Sequence, residues 1–236
     1  MNMMGWYPKE KEVLNELLDS FQTLGTSKKK KQEVHGIIVP HAGYIYSGAI
    51  AAKAYALLKS TGLKSAVILG PSHYVSFYGV HSLSKASTPL GNLDIVSNEF
   101  EKLEYEHSIG NQYPFLKKLG FKEVLPLVIG QLSDADAQDL AGDLSKLDAA
   151  FVFSTDLSHF LNYKDAISKD KRTINILKSL DLEKWSNLDA CGKFPLRVAM
   201  HLCKIKDWKP KLLEYKTSAD VTGDKNRVVG YASLVF

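Results

Sequence analysis

Four short apolar runs decide most of what this chain can become. Gly36-Ile37-Ile38-Val39, Ser65 to Leu69, Val124 to Ile129 and Ala149 to Phe153 are nearly continuous in Val, Ile, Leu, Phe and Ala, with no polar residue at every second place. A strand that faces water on one side alternates apolar with polar residues; an unbroken apolar strand needs cover on both faces. An alanine-rich helix is predicted after the first run, from about Ser47 to Leu58, and another after the third, from about Asp134 to Leu147. Further helices are predicted around 163–178 and 193–206. Buried strands alternating with helices imply an α/β fold with a mostly parallel sheet and helices on both faces.

The remaining segments fit around that core. Pro8 followed by Leu14, Leu17, Leu18 and Phe21 predicts a helix that Gly25 ends, before a lysine-rich loop, Thr26 to Gln32, in which Lys28 to Lys31 read as a solvated surface. Gly79 to Leu93 carries strand-like pieces around Pro89-Leu90-Gly91-Asn92 and reads as a hairpin. Leu212 to Lys216 and Arg227 to Phe236 read as two strands joined through Thr222-Gly223-Asp224, which makes the sheet mixed. No repeat or linker divides the chain, so residues 1–236 are expected to form a single domain.

Charge and cysteine usage narrow the function classes. Thirty Lys+Arg against 26 Asp+Glu leaves +4, too little to argue for a nucleic-acid partner. No apolar stretch approaches the roughly 18 residues of a membrane span, and Met1 to Glu10 lacks a basic region followed by an apolar run. The expectation is a cytoplasmic protein with no membrane partner and reduced thiols. Cys191 and Cys203, placed on one helix, would stand roughly 18 Å apart, beyond disulfide reach.

Chemistry should gather beyond the carboxyl ends of the parallel strands. His41, His73 and His159 each lie just past such an end, beside glycine, proline or serine. One histidine there is no more than a turn residue, but three at the same address predict a shared site. Converging imidazoles suit Zn, Fe, Cu, Mn or Ni. Cys191 is the natural further ligand: Asp189 is read as the N-cap of the following helix, whose N-terminus would lower the thiol pKa. Asp156 and His159 have D-x-x-H spacing, which on a helical turn puts both side chains on one face and suits His159 as a general base or a metal ligand. Tyr44 and Tyr46 are candidates to line a substrate pocket, and Glu106, at the start of a predicted helix, a candidate supporting acid. His35, His81, His201 and Cys203 have no such context and read as structural. No GxGxxG, Walker A or GxSxG pattern is present.

Taken together, Val39-Pro40-His41-Ala42-Gly43-Tyr44 with Tyr46-Ser47-Gly48, Leu69-Gly70-Pro71-Ser72-His73 and Ser154-Thr155-Asp156-Leu157-Ser158-His159 resemble the Memo family. Trp6-Tyr7-Pro8, Glu106-His107-Ser108-Ile109, Asp189-Ala190-Cys191-Gly192 and Val229-Gly230-Tyr231-Ala232 extend the resemblance over essentially the whole chain, to prokaryotic members of the AmmeMemoRadiSam system protein B type. The resemblance implies a three-layer α/β sandwich like that of class III extradiol dioxygenases, in which two histidines and a glutamate hold Fe(II) and a further histidine acts as acid and base. It implies His41 and His73 as metal ligands, Cys191 in the glutamate's place, and His159 as the acid/base residue. It further implies iron or copper as the metal, a link to redox chemistry and, for animal members, phosphotyrosine-peptide binding and cell motility. A thiolate in place of the carboxylate softens the site toward copper or zinc and disfavours O₂ activation at Fe(II). Gly110-Asn111-Gln112 stand where the family usually carries a second glutamate, so no role for that acid carries over.

The leading expectation is therefore a metal-binding, redox-active enzyme related to non-haem iron dioxygenases, acting on a small-molecule or peptide ligand. The alternatives are a non-catalytic peptide-binding, anion-binding or metal-sequestering protein using the same crevice, and a zinc hydrolase with imidazole or thiolate ligands.

Overall fold

A computed structural model describes residues 5–23 and 33–236; Gly25 and the Lys28–Lys31 loop lie outside the described residues. The strands are β1 (Gly36–Val39), β2 (Ser65–Pro71), β3 (Val80–Leu83), β4 (Ser87–Thr88), β5 (Gly91–Asn92), β6 (Asp94–Ile95) and β7 (Lys102–Leu103), followed by β8 (Glu123–Ile129), β9 (Ala150–Ser154), β10 (His159–Leu161), β11 (Lys211–Thr217) and β12 (Val228–Val235). The α-helices are α1 (Lys11–Thr23), α2 (Tyr44–Leu58), α3 (His107–Gly110), α4 (Tyr113–Leu119), α5 (Asp134–Leu144), α6 (Tyr163–Ser179), α7 (Lys193–Ile205) and α8 (Ala219–Thr222). No helix among the described residues is long and apolar enough to cross a membrane.

Ten strands form one mixed sheet in the order β10-β12-β1-β9-β2-β8-β3-β7, with β11 also paired to β12 and β6 to β8. The four apolar runs are its centre, and β1, β9, β2 and β8 are all parallel neighbours. The mixed character comes from β12, antiparallel to β1, β10 and β11, and from β3, antiparallel to β8. The hairpin expected near Pro89 is the separate β4–β5 pair.

The unbroken apolar strands split their side chains between two cores. Ile37, Val39, Ala66, Ile68, Ala150 and Val152 face a layer made by α1, α2 and α4. Ile38, Val67, Leu69, Phe151 and Phe153 face the other way, against α5, α6 and α7. This two-sided burial is why no alternation is visible in the strands, and the result is a three-layer sandwich. Cys203 lies in the second core, and both cysteines are free.

Because β1, β9 and β2 are adjacent and parallel, their carboxyl ends open on the same edge. The chain leaves β1 through Pro40 to His41, leaves β2 through Ser72 to His73, and leaves β9, between them, through Thr155 to Asp156.

Candidate metal site

His41, His73 and His107 converge at this edge, each offering a ring nitrogen, and those nitrogens all lie within 4.8 Å of one another. His41 and His107 are buried, while His73 keeps 27% of its side chain exposed. The three rings pack against each other, with centroids 5.1 Å apart for His41–His73, 5.3 Å for His41–His107 and 4.3 Å for His73–His107.

His107 was not among the residues expected to bind metal. It opens a four-residue helix, α3, in the connection before β8, and Glu106 caps that helix by accepting from Ser108 N–H at 3.0 Å. Gly70 lets α3 settle on the end of β2. A Cβ there would stand 2.5 Å from Ser108 Oγ, so only hydrogen fits. Ser108 Oγ also donates to the Pro71 carbonyl at 2.8 Å, fixing the approach.

The outer nitrogens of His41 and His73 are hydrogen-bonded, and that of His107 faces Glu106. Ser154 Oγ gives its single proton to the Ser108 carbonyl. It can therefore only accept from Gln112 Nε2 and from His41 Nδ1, each at 2.9 Å. This fixes His41 as the Nδ1–H tautomer with a bare Nε2. Burial lowers the His41 pKa to about 4, outweighing the attraction of Asp156, so the ring is a neutral donor at pH 7.

Glu106 serves the other two rings. Its Oε1 accepts from His73 Nδ1 at 3.0 Å and lies 3.1 Å from His107 Nδ1, the second contact electrostatic rather than an aligned hydrogen bond. Its Oε2 accepts from His73 N–H at 2.7 Å. Burial pushes this carboxyl pKa up, but the contacts from both imidazoles and the backbone N–H groups of His73 and Ser108 more than offset it. Glu106 is thus held well below the usual carboxylate range and stays ionised. Metal-ligating histidines characteristically direct their second nitrogen to a carboxylate or another acceptor in this way. The three histidines can hold a metal ion.

The sequence model for Memo-like proteins matches residues 4–235. The chain belongs to the Memo-like family. A MEMO1 family protein of Thermoplasma acidophilum is 32% identical over 257 residues, covering 98% of this chain and 95% of its own. One from Aquifex aeolicus is 32% identical over 259 residues, with 98% and 96% covered. One from Sulfurisphaera tokodaii is 34% identical over 241 residues, with 89% and 85% covered.

Of the other expected residues of this Memo-like chain, Cys191 and Asp156 touch His41, whereas His159 makes no contact with the cluster among the described residues. Cys191 Sγ lies 3.4 Å from His41 Nε2 but is not part of the three-nitrogen cluster. Gly192, where a Cβ would meet Thr155 at 2.7 Å, lets the Cys191 turn press against the end of β9. Two details of the cysteine differ from expectation. The residue capping α7 is Gly192, not Asp189, which pairs instead with Lys169 at 2.9 Å. The Cys191 thiol pKa is pushed up to about 12, first by burial and then by Asp156, rather than lowered by the helix.

Asp156 supports His41, not His159. Its Oδ1 accepts from His41 N–H at 2.8 Å, and Oδ2 lies 3.9 Å from His41 Nε2. The helical turn expected for D-x-x-H is absent: residues 155–158 are irregular, and His159 begins strand β10. A bulge between His159 and Leu161 puts Phe160 at φ 58 and re-aims the strand there. The His159 ring packs on Phe160 at 5.7 Å and makes no hydrogen bond, ion pair or ring contact with the three histidines among the described residues.

Tyr44 is buried in the first core, its hydroxyl donating to the Asn111 carbonyl at 2.6 Å, whereas Tyr46 is half-buried near Tyr231. His35 stacks on Trp208, His81 on Phe77, and His201 meets Asp134 at 3.0 Å, all away from the cluster.

Proposed function

We propose that this chain is a transition-metal protein in which His41, His73 and His107 hold one iron or copper ion, with zinc the next best fit, and that it performs redox chemistry on a small-molecule or peptide ligand. One feature supports this above the rest: three imidazoles bring ring nitrogens within 4.8 Å of one another, and the Nδ1 atoms of His41 and His73 are hydrogen-bonded, which leaves their Nε2 lone pairs to bind an ion. A bound ion would supply Lewis acidity and a centre for electron transfer.

The chain's own residues have separable tasks in this reading. Glu106 orients His73 and His107 and places a negative charge behind them, which raises their donor strength. Asp156 grips the backbone of His41 and Ala42 through Oδ1, at 2.8 and 3.3 Å. His159, half-buried on its bulge, is assigned the proton transfer between ligand and solvent.

Cys191 favours a second reading. Three protein ligands leave a coordination position open for chemistry, whereas a fourth closes the site into a structural or sequestering one. Cys191, with Sγ 3.4 Å from His41 Nε2, is that fourth donor in this reading.

Metal analysis of protein purified without a histidine tag, after anaerobic loading with Fe(II) or Cu(I), tests the proposal. The expected content is near one ion per chain, with affinity lowered at least about tenfold in His107→Ala. Less than roughly a tenth of an ion per loaded chain would overturn it. Co(II) substitution separates the two readings: a thiolate charge-transfer band lost in Cys191→Ser marks the closed site, and its absence marks the open one.

A further inference from the structure

Beside the histidine cluster, across the Trp6 indole from His107, lies a second concavity. It is a cleft of about 440 Å³ whose lining includes Trp6, Tyr7, Lys9, Pro89, Tyr105 and Gly110. Cavities of roughly 300–1,000 Å³ are the usual size for small-molecule sites.

Its walls are fixed by the fold. The Trp6 carbonyl accepts from Tyr44 N–H at 2.9 Å, pinning the segment before α1 across the start of α2. One face of the Trp6 indole stacks on His107, with centroids 4.2 Å apart and planes 7° from parallel. Trp6 is nevertheless 38% exposed, so part of the indole is left uncovered. Tyr105 stands opposite Gly110: a Cβ at Gly110 would meet Tyr105 Cε2 at 3.8 Å, so a longer side chain would grow along the tyrosine and fill the space.

An aromatic enclosure of this kind suits either a flat ring or a cation held over ring faces. Charge decides between them. Among the described residues no aspartate or glutamate lines the cleft, and Lys9 is its charged residue. Glu106, the nearby carboxylate, is turned into His73 and His107. We propose that the cleft binds a small planar aromatic acid, its ring stacked on the open face of Trp6 and its carboxylate paired with Lys9. Stacked there, the ring lies one indole removed from His107, roughly 8–11 Å between ring centres, too far to ligate an ion at the histidines. Binding therefore does not require the metal, and this inference stands or falls apart from the proposal above.

Titration calorimetry with naphthalene-2-carboxylate tests it on the full chain, both metal-loaded and chelator-treated. Saturable binding of one molecule per chain is expected, with the same affinity in both preparations. Gly110→Leu, which fills the cleft, and Trp6→Leu, which removes the platform, should each weaken binding at least about tenfold. Gly110→Leu should retain the metal content of the wild type. Lys9→Gln, at an exposed position, should weaken the acid several-fold yet leave naphthalene-2-carboxamide binding unchanged. The inference is overturned if no saturable binding is seen, if Gly110→Leu folds and binds like the wild type, or if a naphthylmethyl-trimethylammonium cation binds better than the acid. Binding confined to the metal-loaded protein would also overturn it, by placing the ligand on the ion.

Discussion

Gly70→Ala is the substitution that most directly asks whether the close approach of α3 to β2 builds the site. The added methyl would stand 2.5 Å from Ser108 Oγ, 3.0 Å from Ile109 Cδ1 and 3.1 Å from Ser108 Cβ. Ordinary carbon contacts need about 3.5–4.0 Å. Ser108 and Ile109 are both fully buried, so neither can swing into solvent, and relief requires α3 itself to move by roughly 1 Å. Overpacking of this size costs about 1–3 kcal/mol. The same movement carries His107 away from His41 and His73 and breaks the Ser108–Pro71 hydrogen bond, so metal affinity should fall about ten- to a hundredfold. Urea denaturation reads the first effect and titration with Co(II) the second. Adding Ser108→Gly removes two of the three short contacts and should recover part of the stability, a coupling that independent sites would not show. Wild-type stability together with wild-type metal affinity in Gly70→Ala would refute the reasoning.

Further expectations follow from neighbouring features. Gly142, inside α5, has nothing within 4 Å of an added Cβ, so Gly142→Ala should raise stability by about 0.5–1 kcal/mol in the same urea assay. Glu106→Gln keeps the shape but turns an amide N–H₂ or a weaker acceptor toward the donors of His73 and Ser108. Metal affinity, measured by competition with a chelator, should drop about ten- to a hundredfold. Because the Glu106 pKa is depressed in the fold, its stabilisation is present above the unfolded carboxylate pKa and is lost as pH falls through the folded one; the wild type should therefore lose more stability on acidification below about pH 4.5 than Glu106→Gln does. Asp170 shows the opposite sign. Burial raises its pKa even though Ser158 N–H and Tyr215 OH donate to it. Its contribution is present below the unfolded pKa and is lost as pH rises through the folded one, so urea midpoints should show Asp170→Asn gaining on the wild type as pH rises above about 4.

Much of the architecture is legible in the amino-acid sequence itself. The unbroken apolar runs marked β1, β2, β8 and β9 as doubly covered strands, and proline, glycine and helical spacing placed α1, α2, α5, α6 and α7 to within a few residues. Of the candidate site, His41 and His73 were legible because each follows directly on a parallel strand, where the address is set by the strand itself. His107 was not, since nothing in a four-residue helix says which strand end it will cover. The clue in the sequence is Glu106-His107-Ser108, an acid capping a short helix beside a histidine. The D-x-x-H spacing misled for a related reason. It assumed a helical turn, whereas the backbone after β9 is irregular and is tied down by long-range bonds, with Leu157 N–H donating to Gly230 O and Ser158 N–H to Asp170.

What the sequence by itself determined was the local periodicity, and with it the strands, the helices and the edge of the sheet where polar residues gather. Which of those residues touch was decided only by the tertiary structure. Strand order put β9 between β1 and β2, and two glycines let α3 and the Cys191 turn come within contact distance of the strand ends. Periodicity is a property of neighbours along the chain. Convergence depends on contacts between residues tens of positions apart, made possible by the absence of a methyl group at Gly70 and Gly192.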